Sequence, residues 1–103
     1  MSDRYEGKPF LRLLDSYILD TIGALDEANR KWLVASEPYH REIFGAKGGW
    51  REIVAERMNF PQGMDATIVE VWEKGSARFR QDTGEEPDPV QFTHMFVDQN
   101  FPH

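Results

Sequence analysis

The sequence predicts an all-α protein, a compact bundle of four to six helices that forms a single domain over residues 1–103. Apolar residues recur at intervals of three and four along nearly the whole chain, which is the spacing of helices with one buried face. The alternation with a period of two that is typical of half-buried strands is absent beyond short stretches. Prolines, glycines and an asparagine stand where helices would begin and end. We expect residues 1–8 to form a flexible N-terminus and residues 100–103 a C-terminal tail.

The first helix is expected to be the central one and to run from about Pro9 to Leu25. Proline suits the first turn of a helix, because the N–H that it lacks would have no partner there. Gly23 weakens the last turn, which favours an early end or a close neighbour. The apolar residues form a stripe that covers most of this helix: Phe10, Leu11, Leu13, Leu14, Tyr17, Ile18, Ile22 and Leu25.

Two short helices should follow, near residues 26–36 and 37–44. Asp26 is a good N-cap, and Gly45 is typical of a helix end. Pro38 should break or kink a continuous helix, because proline lacks a backbone donor and clashes with the preceding turn. One helical phase nevertheless continues across the break and comprises Ala28, Trp32, Ala35, Tyr39 and Ile43.

The second half of the chain predicts three further helices. The first spans residues 50–58 and ends at Asn59, and a long one runs from about Met64 to Gly84. The last is expected from Asp88 to about residue 99, because an N-cap aspartate is followed by a proline and, three residues after the cap, by a glutamine. The buried stripe of the long helix includes a glycine, which costs about 1 kcal/mol unless another helix approaches closely. That stripe comprises Ile68, Trp72, Gly75 and Phe79.

The charge balance argues against nucleic acid as a partner. Twelve Lys and Arg against eighteen Asp and Glu give a net charge of −6, and the whole excess lies in residues 52–103. Phosphate contacts need a basic surface. The chain has no cysteine, which removes disulfides, thiolate metal sites and cysteine nucleophiles. It also has neither an apolar signal peptide nor an apolar run that would cross a membrane, so we expect a cytoplasmic protein.

The last helix predicts a site of protein association. Its polar face is limited to Gln91, His94 and Asp98, and an apolar arc this wide exceeds what one neighbouring helix covers. Exposed apolar patches mark association sites. We therefore predict a non-catalytic module that binds a protein partner or forms a homo-oligomer, without a cofactor. The predicted interaction residues are Phe92, Met95, Phe96, Val97 and Phe101.

Two alternative functions remain open. Glu37 and His40 have the Glu-x-x-His spacing with which helical bundles bind metals, and His94 with Asp98 forms a second partial pair. These residues suggest a small metal-assisted enzyme or ligand binder, although half of the ligand pattern is missing, so we predict no metal and no catalytic residue. The other alternative is an acidic inhibitor or immunity-type protein that covers a basic partner with the four carboxylates of residues 82–88.

Two further features are a glycine-rich segment that could bind an anion and three tryptophans that could form a surface patch. Lys47, Gly48 and Gly49 precede a helix N-terminus, whose free donors and dipole attract anions. The simpler interpretation is that the glycines let two helices meet at an angle. The tryptophans are expected in the core, with a surface patch as the alternative: Trp32, Trp50 and Trp72.

Overall fold

The first helix lies at the centre of six. The structure is a computed structural model that describes residues 4–101, and within these residues the chain forms six helices and no strand. This result confirms the predicted all-α class. In chain order the helices are α1 (Pro9–Thr21), α2 (Glu27–Ala35), α3 (Glu37–Phe44), α4 (Trp50–Met58), α5 (Met64–Thr83) and α6 (Pro89–Asn100).

The core is built around α1, which packs against α4, α5 and α6. Because it has neighbours on several sides, every residue from Leu13 to Ile18 is buried, including the polar Asp15 and Ser16. The α3 helix packs on α4, and α2 packs on α3. The side chains that the other helices contribute to the core include Leu33, Trp50, Ile53, Val54, Ile68, Phe96 and Val97.

The helix ends follow the predicted signals, with one difference. Gly45 and Asn59 adopt left-handed conformations at the ends of α3 and α4, with φ of 62° and 55°. The α1 helix ends at Thr21 rather than at Leu25, because Gly23 is left-handed with φ of 77° and turns the chain away. Leu25 still packs against the core from outside the helix.

The face that α2 and α3 turn to the core is not the one that the sequence pattern predicts. Leu33 and His40 are buried, whereas Trp32, Tyr39 and Ile43 are 38%, 57% and 42% exposed. Each of these short helices carries apolar or aromatic residues on two sides, so periodicity alone does not determine which side docks. The prediction for the tryptophans is therefore confirmed for Trp50 and wrong for Trp32, and Trp72 is half-buried.

The segment before α1, predicted to be flexible, is tied to two helices from Arg4 onward. The Arg4 guanidinium donates to both carboxylate oxygens of Asp15 in α1, at 2.7 and 3.2 Å, and to both oxygens of Asp98 in α6, at 3.1 and 2.9 Å. The hydrogen bond to Asp15 raises the pKa of Arg4 above its ordinary value. Residues 1–3, like the tail residues 102–103, lie outside the described residues.

His40 is expected to make the stability of the fold depend on pH. It is buried among the rings of Trp32, Tyr39 and Phe44, and burial lowers the pKa of its imidazole. The unfolded chain takes up this proton near pH 6.5 and the folded chain only at lower pH. The free energy of unfolding should therefore decrease as the pH falls below about 6.5, by at most about 1.4 kcal/mol per pH unit for one proton.

Urea unfolding at pH 7.5 and at pH 5.5 measures this dependence. In the His40→Phe variant, the difference in free energy of unfolding between the two pH values should be smaller, because phenylalanine binds no proton. An equal difference in the variant and in the natural chain would show that His40 is not its source.

Candidate functional site

A groove lined mainly by apolar side chains lies between α5 and α6, with a volume of about 310 Å³. We call it the α5/α6 groove. Its α5 wall consists of Val71, Trp72, Gly75, Ser76 and Phe79. Its other wall consists of Pro87, Asp88, Gln91, Phe92 and Met95, from α6 and the residues just before it.

The groove exists because only the first half of α5 packs against the core, and the second half extends beyond it. Ile68 in that half is fully buried, whereas every residue of 73–86 except Ser76 is exposed. The α6 helix starts where Asp88 caps it, its carboxylate accepting the N–H of Val90 at 2.8 Å. The Trp72 and Phe92 rings, 5.0 Å apart, join the two walls.

Three large apolar side chains remain exposed in the α5/α6 groove. Val71 and Phe79 are each 40% exposed, and Met95 on the opposite wall is 52% exposed. Apolar side chains grouped in a concave surface gain free energy when a partner covers them. This grouping gives the groove the chemical character of an association site.

The predicted interaction residues divide between this groove and the core. Phe92 and Met95 line the groove. Phe96 and Val97 are only 8% and 0% exposed, because α6 turns this face to α1, and they are therefore unavailable to a partner. Phe101 is half-buried and packs against the ring of Phe96.

The α5 wall of the groove was not predicted. The helical stripe led us to expect Gly75 and Phe79 in the core, yet both are exposed. A signal for this was present in the sequence, because Phe79 is the only large apolar residue, prolines aside, between Ser76 and Pro89. A single large apolar residue in a long polar stretch of helix indicates that the helix has left the core.

The predicted anion site is already occupied by a side chain of the protein. The carboxylate of Glu37 accepts the N–H of Trp50 at 2.8 Å and so supplies the negative charge at the start of α4. Gly49 allows this approach, because a Cβ at that position would stand 2.8 Å from an oxygen of the Glu37 carboxylate. A Cβ on Gly48 would instead collide with the side chain of Glu52. Lys47 is exposed beside them.

The candidate metal ligands are not brought together. Glu37 is engaged with α4, and His40 is enclosed by aromatic rings. The Nε2 atom of His94 lies 3.6 Å from a carboxylate oxygen of Asp15, and the carboxylate of Asp98 binds the Arg4 guanidinium. Across residues 4–101, no three His, Asp or Glu side chains converge as a metal site would require.

The acidic segment is partly neutralised within the chain. Glu86 pairs with Arg80 at 2.8 Å, Asp82 lies 3.7 Å from Arg78, and Asp88 caps α6. None of the helices in residues 4–101 combines the length and apolarity that spanning a bilayer demands.

No family model, curated protein or solved structure matches this chain. The function therefore has to be inferred from the side chains and their arrangement.

Proposed function

We propose that this chain is a non-catalytic protein-interaction module that binds an apolar helix of its partner in the α5/α6 groove. The observation that carries the proposal is the exposure of Val71, Phe79 and Met95 on the two walls of one groove. Grooves between two helices are a recurrent way of holding a third, amphipathic helix.

Gly75 supports a helix as the bound element. It lies in the interior of α5 with ordinary helical backbone. Apart from its two chain neighbours and the adjacent backbone of α5, no atom of the described residues lies within 4 Å of the position that a Cβ would take. A glycine inside a helix costs about 1 kcal/mol relative to alanine. Because nothing described within the chain uses the missing side chain, its benefit would come from outside, where glycine allows the backbone of a partner helix to approach closely.

The polar lining of the groove favours binding over catalysis. Its polar side chains are those of Ser76, Asp88 and Gln91, and the Asp88 carboxylate is already bound to the N-terminus of α6. An inhibitor that acts through its carboxylates is less favoured, because the acids of residues 82–88 named above already have partners in the chain.

Replacing an exposed groove residue by aspartate is expected to weaken association at least tenfold, about 1.4 kcal/mol. The charge would have to be buried against an apolar helix. The variants are Phe79→Asp and Met95→Asp. Val90→Asp is the matched control, because Val90 is 44% exposed on α6 but does not line the groove.

Light scattering measures self-association, and capture from the native host by the immobilised chain measures binding to other proteins. Both groove variants should lose binding that Val90→Asp keeps, with unchanged circular dichroism. If the groove variants bind the same proteins as the natural chain, or if the control loses as much, the groove is not the interaction site.

A further inference from the structure

A second concave site lies where the segment before α1 meets α1, α2 and α3. This cleft shares no residue with the α5/α6 groove and has a volume of about 260 Å³. That volume lies just below the roughly 300–1,000 Å³ of sites for drug-sized ligands, so the cleft suits a smaller molecule. It is lined by Tyr5, Pro9, Arg12, Trp32, Tyr39 and His40.

Arg12 provides an uncompensated positive charge in this cleft. Its side chain is half-buried, and its Cζ atom lies 3.8 Å from the centroid of the Trp32 ring. Within the described part of the chain, its one hydrogen bond is a long one to Asn29, at 3.4 Å, and no carboxylate lies within 4.0 Å.

Most of the other half-buried arginines have an acidic partner. Arg4, Arg30 and Arg51 each lie 2.7 or 2.8 Å from a carboxylate oxygen. Arg41 has no ion pair among the described residues, but it lies outside the cleft and contacts the Gly48 carbonyl. In a chain with eighteen acidic residues, a partly desolvated guanidinium without an acid is a charge that a bound anion would compensate. The planar guanidinium presents paired N–H donors that match a carboxylate.

Two exposed aromatic rings stand beside this charge. Trp32 is 38% exposed and Tyr39 is 57% exposed, and their ring centroids lie 5.6 and 5.3 Å from that of His40. The two rings therefore converge on one buried imidazole. Exposed aromatic rings at this spacing offer faces and edges on which a flat apolar group packs favourably.

His40 is the buried member of the cleft. Its side chain is 2% exposed, and its imidazole interacts with the backbone of Ser36 as well as with the rings of Trp32 and Tyr39.

We propose that this cleft binds a small molecule in which a carboxylate is attached to a single aromatic ring. The carboxylate would pair with the Arg12 guanidinium, and the ring would pack against Tyr39 and the exposed part of Trp32. This site is independent of the proposed protein-interaction function, and either can hold without the other.

Three probes of graded chemistry test the site: benzoate, acetate and benzyl alcohol. Each is titrated to roughly 10 mM, well above the 1 mM dissociation constant that corresponds to about −4.1 kcal/mol. Binding is followed by NMR of backbone amides and of the indole N–H groups, which separates Trp32 from Trp50 and Trp72. We expect benzoate to shift the signals of Trp32 and His40, and the other two probes to bind at least tenfold more weakly.

Two variants locate the site. Arg12→Gln and Tyr39→Leu should each weaken benzoate binding at least tenfold. Arg41→Gln is the matched control, because Arg41 is also half-buried, has no ion pair among the described residues and lies outside the cleft. Amide spectra of the free variants confirm that they are folded.

Three results would overturn the proposal. The first is the absence of any shift with benzoate. The second is acetate binding as tightly as benzoate, which would reduce the site to a nonspecific cation on the surface. The third is benzoate binding that survives Arg12→Gln or is lost equally in Arg41→Gln.

Discussion

Replacing Arg4 by glutamine is expected to lower the free energy of unfolding by about 3 kcal/mol, because it leaves the Asp15 carboxylate buried without its charged partner. Asp15 is 1% exposed, and Arg4 binds both of its oxygens. Tyr5 and His94 remain beside the carboxylate, which keeps the expected loss at the lower end of the range for broken buried ion pairs. Arg4 also binds Asp98, so its loss detaches the start of the chain from α6.

Urea unfolding of three variants measures this effect and its origin. Lys74→Gln removes an ion pair that is as short, 2.6 Å to Glu70, but fully exposed, and its stability should be unchanged within error. The double variant Arg4→Gln with Asp15→Asn removes the buried charge as well, and should recover part of the loss. Equal stability of Arg4→Gln and the natural chain would show that residues 4–8 are not bound to the fold in solution.

Replacing Phe96 by alanine should also destabilise the fold by about 3 kcal/mol, through the lost burial and the cavity that is left. The side chain is 8% exposed and lies between the rings of Phe92 and Phe101, each 5.7 Å away. The removed ring belongs to the contact between α6 and the core.

The adjacent residue is the control for that experiment. Met95 is 52% exposed, so Met95→Ala should change the stability by less than about 0.5 kcal/mol. The two variants should therefore have different effects, because Phe96 is expected to stabilise the fold and Met95 to take part in association. Similar losses of stability in both variants would mean that α6 does not bury Phe96 and expose Met95.

The helices themselves were predictable because their signals are local. These signals all act within a few residues: Asp88 and Pro89 at the start of α6, the left-handed Gly45 and Asn59, and the periodicity of α1. The predicted and observed helices accordingly agree closely, apart from the early end of α1 at Thr21. The central position of α1 was also predictable, since a helix that is apolar on most sides requires neighbours on most sides.

The sites were much less predictable because they depend on which face each helix buries. Of the five residues proposed for interaction, Phe92 and Met95 line the groove, and the α5 wall opposite them was missed. The spacing of Glu37 and His40 in the sequence suggested a shared metal site, yet the Glu37 carboxylate instead binds the N-terminus of α4. His40 has Arg12, more than twenty residues away, as its neighbour in the cleft.

By itself, the amino-acid sequence determined that this protein is helical and where most of its helices begin and end. Only the tertiary structure decided that Phe96 is buried and Phe79 is exposed, and that Arg4 joins the start of the chain to α1 and α6. It also decided that Arg12 shares a cleft with Trp32 and Tyr39 and has no ion pair among the described residues. The physical reason is that capping and periodicity are properties of neighbouring residues. Burial and charge pairing depend instead on contacts between residues that are distant in the chain, and several apolar faces compete for the same small core.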